Sequence, residues 1–131
     1  MESRADLRVE RFASVGAFLV AATYLLAPRE AQHNLIYGIC SGLELSPDDY
    51  PSSPDLLVVR RRARVVLAAV RTPPRQLVLS EVDDPLALDI LADELTGADL
   101  SGVVGPSEGS KAREVLMTVE EFELLQERGQ L

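Results

Sequence analysis

Two apolar runs separated by a cluster of arginines set the tightest limits on this chain. Leu56-Leu57-Val58-Val59 and Val65-Val66-Leu67-Ala68-Ala69-Val70 are rich in β-branched residues, and Arg60-Arg61-Arg62 with Arg64 lies between them. Runs of this composition fit strands, and the short connection makes them an antiparallel hairpin. Three adjacent arginines in a turn read as a solvated loop, with an anion contact as the alternative. The second run ends at Arg71-Thr72-Pro73-Pro74. Proline cannot donate to a ladder, so the pair forces a rigid turn or exposed kink near a sheet edge. Leu77-Val78-Leu79 then resumes as a further strand.

The rest of the chain organises around this unit. Leu7-Arg8-Val9-Glu10-Arg11-Phe12 alternates apolar and charged residues, the pattern of a half-exposed strand. Ser14 is placed to cap a helix whose positions Val15, Phe18, Leu19, Ala22, Leu25 and Leu26 keep helical spacing. Pro28 stops it and opens a second helix over residues 28–43, with Leu35, Ile36, Ile39, Cys40 and Leu43 inward and His33, Asn34, Tyr37 and Ser41 outward. Residues 46–55 form a proline-rich loop ordered around Tyr50. Asp84-Pro85 starts a helix bearing Leu86, Ile90, Leu91 and Leu95, and Val103-Val104 is a short strand. Residues 107–117 read as helical, and Thr118-Val119-Glu120-Glu121 has the capping-box spacing of a last helix. The expected order is β-α-α-β-β-β-α-β-α. The fold class is α/β (α+β): a mixed, mostly antiparallel sheet of about five strands with helices on both faces.

Composition excludes several functions. A length of 131 residues with 47% apolar and 26% charged residues suits a single folded domain. A net charge of −8 argues against a nucleic-acid partner, since phosphate binding needs concentrated basic surface. The single cysteine, Cys40, excludes an internal disulfide and reads as a buried thiol in a reducing, cytoplasmic compartment. The single histidine excludes a multi-histidine metal site. Residues 12–27 carry no charge, yet the run is shorter than a spanning helix needs and its leader has no net side-chain charge. A buried helix is expected rather than a membrane anchor or export signal, and Val20, Ala21 and Tyr24, opposite its main stripe, give it a second apolar side that favours pairing.

Three stretches carry a likeness. Glu30-Ala31-Gln32-His33-Asn34-Leu35-Ile36-Tyr37-Gly38-Ile39, the run from Arg71-Thr72-Pro73-Pro74 to Ser80, and Gly102-Val103-Val104-Gly105-Pro106 resemble the N-terminal lobe of bacterial GNAT-type N-acetyltransferases. The likeness covers about residues 7–112; residues 113–131 form a divergent, helical C-terminal tail packed on or beside that domain. Enzymes of this type hold the CoA pyrophosphate on backbone amides in a loop of the pattern Gln/Arg-x-x-Gly-x-Gly/Ala after the fourth strand. In the two-lobe members that the likeness implies, this loop belongs to a second lobe. Here the fourth strand is followed by Glu81-Val82-Asp83-Asp84-Pro85, with no glycine and three carboxylates. Asp84 is better explained as a helix cap than as part of a phosphate cradle.

The resemblance therefore implies a GNAT-related protein without its own acetyl-CoA loop, with no turnover as an isolated chain and a structural, substrate-side or pairing role. No bound cofactor is expected, and acetyl-CoA enters only if a complementary lobe is supplied. The expected partners are a second copy, as a homodimer, or a separate catalytic lobe; nucleic acid and membrane are not among them. The alternatives are a truncated acetyl-CoA-dependent N-acetyltransferase or a small exported or membrane-anchored protein. His33, Asn34 and Tyr37 are candidates for a substrate groove or lobe interface, as are Arg71 and Thr72 at the strand break. Catalytic and metal-binding residues are not assigned, and Gly105-Pro106 reads as a chain turn rather than an anion cradle.

Overall fold

The computed structural model describes residues 4–50, 52–73, 75–82, 84–96, 102–106 and 114–117. The arginine hairpin forms its centre: β2 (Asp55–Arg61) pairs antiparallel with β3 (Arg64–Arg71). The tight turn between them is closed by Arg62 in the left-handed region, at φ 58°. The ladder shifts register between Val59 and Arg60, a bulge that re-aims the arginines beyond it. β1 (Leu7–Arg11) pairs antiparallel with the free side of β2, and β4 (Leu77–Leu79) with that of β3.

Beyond β4 the direction changes. β5 (Val103–Pro106) lies parallel to β4, with Leu77 opposite Val103 and Val78 opposite Val104. A parallel neighbour requires a crossover, and α3 (Leu86–Glu94) supplies it. β6 (Glu114–Met117) returns antiparallel to β5, giving six strands in the order β1-β2-β3-β4-β5-β6.

Both faces of this sheet are covered, which explains why its central strands are apolar throughout. Leu57, Val59, Leu67, Ala69, Leu77 and Leu79 face α3 with Leu88 and Leu91. Leu56, Val58, Ala68, Val70 and Val78 face α1 (Val15–Leu26) and α2 (Asn34–Leu45), meeting Phe18, Leu26, Ile36 and Cys40. Each fully buried large side chain in these layers contributes about 1.5–3 kcal/mol. Ser14 caps α1 by accepting the Ala17 N–H at 3.1 Å. Tyr50 closes the proline-rich loop over α2, where a Cβ at Gly42 would collide with the Tyr50 hydroxyl.

The mixed α/β class, the largely antiparallel sheet and the two-sided helical cover follow the sequence reading. Several local expectations do not. The second helix is not continuous from Pro28: residues Ala27–His33 form a 3-10 segment kinked at Arg29 (φ −133°, ψ 55°), and α2 starts at Asn34. The helix expected over 107–117 is replaced at Glu114–Met117 by β6, because an apolar edge at β5 is paired there. The capping box at Thr118 and the rest of the tail lie outside the described residues. The arginine turn is not fully solvated, since Arg61 is buried at 7% exposure. Finally, Leu35, expected inward on the second helix, is 38% exposed. On α1 the main stripe packs inward as expected, with Phe18, Ala22 and Leu26 buried, whereas Val20 and Tyr24 opposite it are 77% and 93% exposed.

Candidate functional site

The connection from β4 to α3 is where a cofactor loop of the expected kind would stand, and side chains of this chain fill it. The Ser80 N–H donates to the Ala68 carbonyl, and the Ser80 hydroxyl accepts from the Ala68 N–H and donates to the Glu81 carbonyl, the last two at 2.8 Å. The Glu81 N–H donates to His33 Nε2 at 3.0 Å. A backbone N–H can only donate, so Nε2 accepts and the imidazole proton sits on Nδ1, which donates to the Leu26 carbonyl at 3.0 Å. His33 is 1% exposed and both its nitrogens are engaged. It ties the end of α1 to the end of β4.

Asp84 anchors the other side of the connection. Its Oδ1 accepts the Leu86 N–H at 3.0 Å and its carbonyl accepts the Ala87 N–H, so it caps α3 as the sequence predicts. Its Oδ2 accepts from Arg61 Nε, and both side chains are buried. Arg61 Nη1 lies 3.9 Å from Asp6 Oδ2 as well. The middle arginine of the turn is therefore a strut inside the fold. Removing either partner of such a pair strands a buried charge, which is far costlier than losing a surface ion pair.

At the same end of the sheet a cleft of about 640 Å³ opens between α1 and the hairpin turn. Val20, Ala21, Tyr24, Leu25, Pro28 and Val65 form its apolar wall; Arg29, Arg60, Arg64 and Glu81 supply its charges. Arg29 pairs with Glu81, and Arg60 Nε meets Glu10 Oε1 at 2.7 Å. The sequence places Val20, Ala21 and Tyr24 on the outer side of α1, but their meeting with the hairpin arginines depends on tertiary packing that local spacing does not show.

The residues singled out from the sequence do not converge. His33 belongs to the cleft end of the sheet, but inside the fold rather than on an exposed helix face. Asn34 is exposed and Tyr37 half-buried along α2. Burial pushes the Tyr37 phenol up, aided by the nearby Glu30 charge. Arg71 and Thr72 lie at the opposite end of β3. There Arg71 Nε donates to Asp55 Oδ2 at 2.9 Å, and Asp55 Oδ1 also accepts from Arg11. Thr72 is buried, and its carbonyl accepts the Arg75 N–H at 2.8 Å. Gly105-Pro106, read from the sequence as a chain turn, instead continues β5 opposite Val115 and Glu114, and Gly105 packs against the Leu79 side chain.

Among the described residues no cluster of three or more metal-ligating side chains occurs. Among them, too, no helix is long and apolar enough to cross a membrane. No family model, no curated protein and no solved structure matches this chain.

Proposed function

We propose that this chain is a GNAT-related lobe that does not hold acetyl-CoA by itself and works by association with another lobe or copy. Its compartment in this reading is the cytoplasm, consistent with the lone buried cysteine. The element order and the parallel β4–β5 pair joined by α3 fit the connectivity expected of such a lobe. The observation that carries the reading is the β4–α3 connection. Its Glu81 amide is committed to His33, its Leu86 and Ala87 amides to Asp84, and its two described carboxylates to Arg29 and Arg61.

A pyrophosphate cradle needs adjacent amides aimed outward and a locally positive potential. This connection offers internal hydrogen bonds and acidic side chains instead. Acetyl-CoA would have to break the Glu81–His33 bond and displace the carboxylates of Glu81 and Asp84 from Arg29 and Arg61.

Calorimetric titration of the folded chain with acetyl-CoA tests this. The expected result is no saturable heat at millimolar ligand. Saturable micromolar binding would overturn the reading and favour the truncated-transferase alternative.

A further inference from the structure

We infer that two copies of this chain join along β1, strand against strand and antiparallel, about a two-fold axis through Val9. The inference deepens the reading of an associating lobe, and takes from it only the expectation that a partner exists. Among the described residues β1 ends the sheet, with β2 on one side and no strand on the other. The ladder fixes which of its backbone groups are used. Phe12 donates its N–H to the Leu56 carbonyl at 2.8 Å, and the Asp6 carbonyl accepts the Arg62 N–H at 3.1 Å. Backbone direction alternates along a strand, so Asp6, Arg8, Glu10 and Phe12 turn their N–H and C=O groups to β2. Leu7, Val9 and Arg11 turn theirs to the open edge.

Charge selects the register in which a second β1 fits that edge. Leu7 and Val9 join the core beneath α3, whereas Arg8 and Glu10 lie on the other face, opposite Arg60 and Val58 of β2. A two-fold axis normal to the sheet keeps each face in common between the copies, so residues of one face meet residues of that face. Centred on Arg8, the pairing sets Arg8 against Arg8 and Asp6 against Glu10. Centred on Glu10, it sets Glu10 against Glu10. Centred on Val9, it uses the whole of Leu7–Arg11 and sets Arg8 of each copy against Glu10 of the other, on both sides of the axis. Like charges directly opposite weaken a ladder and opposite charges strengthen it, so the Val9 register wins.

Both charges are available for this contact. Arg8 is exposed and, among the described residues, makes no ion pair. Glu10 gives only Oε1 to Arg60 Nε, at 2.7 Å, and its side chain is 42% exposed, so Oε2 can accept from a second arginine. No ion pair of the fold has to break: Arg60 keeps Glu10, and Arg11 keeps Asp55 and Glu94. Charges on an edge strand ordinarily repel unrelated strands. Here the same two charges admit a copy of their own strand and reject its slipped registers.

Sedimentation equilibrium across about 1 μM to 1 mM tests the pairing, together with amide hydrogen exchange. The parent chain is expected to dimerise, and the Leu7, Val9 and Arg11 amides to exchange more slowly as concentration rises. Val9→Pro removes an outward N–H and none that β2 receives, so it should abolish the dimer while circular dichroism stays native. Arg8→Glu and Glu10→Arg should each raise the dissociation constant by about tenfold. An equimolar mixture of those two variants should recover the parent affinity, because every opposed pair then has opposite sign again. A chain monomeric at 1 mM, a dimer that leaves these three amides fast, or a mixture no tighter than its components overturns the inference. Slow exchange that ignores concentration also overturns it, since the edge is then covered within one chain. A dimer that also takes up acetyl-CoA leaves the pairing standing and overturns the lobe reading; a monomer that ignores acetyl-CoA does the reverse.

Discussion

At the scale of single residues, His33 and Asp84 hold the candidate site closed. Replacing His33 by Ala leaves the Glu81 N–H and the Leu26 carbonyl without their buried partner. A loss of about 2 kcal/mol of stability is expected in urea denaturation. Asp84→Ala removes the α3 cap and strands Arg61, so a larger loss of about 3–5 kcal/mol is expected by the same measurement. If Asp84→Ala costs less than 1 kcal/mol, Arg61 is solvated and the strut does not exist.

Cys40 gives a prediction of another kind. Burial, and secondarily the Glu44 charge, push its thiol up to about 11. Its folded value lies above its unfolded one, so the folded chain keeps this proton more tightly. Stability from this group is present below pH 9 and is lost as pH rises from about 9 towards 11. The alkaline limb of the stability profile should therefore be steeper in the parent than in Cys40→Ala. Iodoacetamide at pH 8 should label the folded chain far more slowly than the denatured one.

The misplacement of His33 shows what residue periodicity can miss. A continuous helix from Pro28 puts His33 outside, with Asn34 and Tyr37. The kink at Arg29 and the 3-10 winding after it change the phase, and His33 turns inward. Neither the Glu81 amide nor the Leu26 carbonyl that receives it is visible in local spacing, because one of those partners lies 48 residues away. Cys40, by contrast, was legible, because it sits within the regular part of α2 among Ile36 and Leu43.

Among elements, the β2–β3 hairpin was read from its β-branched runs, and its turn is where the sequence departs from ideal chemistry. Arg62 occupies a left-handed backbone position that favours glycine. Its side chain is exposed, and its N–H donates to the Asp6 carbonyl whatever side chain it carries. Arg62→Gly is therefore expected to be neutral or to raise stability by up to about 1 kcal/mol, read as a shift in melting temperature. A clear destabilisation would place the Arg62 side chain in contacts the hairpin needs.

The two sides of α1 were legible, since the stripe of Phe18, Ala22 and Leu26 is the one that packs inward and Val20 and Tyr24 are left outside; the strand β6 was not. β6 owes its conformation to the edge of β5, a contact made only after the sheet forms.

For the whole molecule, the order of elements was legible because helical and strand periods alternate cleanly along the first hundred residues. Function was less legible, because the resemblance concerns a scaffold and activity lives in the site grafted on it. The site at the end of β4 is closed by hydrogen bonds inside the chain, and among the described residues the outer side of α1 is exposed at Val20 and Tyr24. The proposal of an associating lobe rests on these two features.

The closure can be measured directly by following the Glu81 amide and the His33 ring nitrogens in a nitrogen-15 NMR titration with acetyl-CoA. The account predicts a slowly exchanging Glu81 amide, a His33 ring protonated on Nδ1 and accepting at Nε2, and no movement of either signal at millimolar acetyl-CoA. A rapidly exchanging Glu81 amide, or signals that shift and saturate with acetyl-CoA, would contradict it.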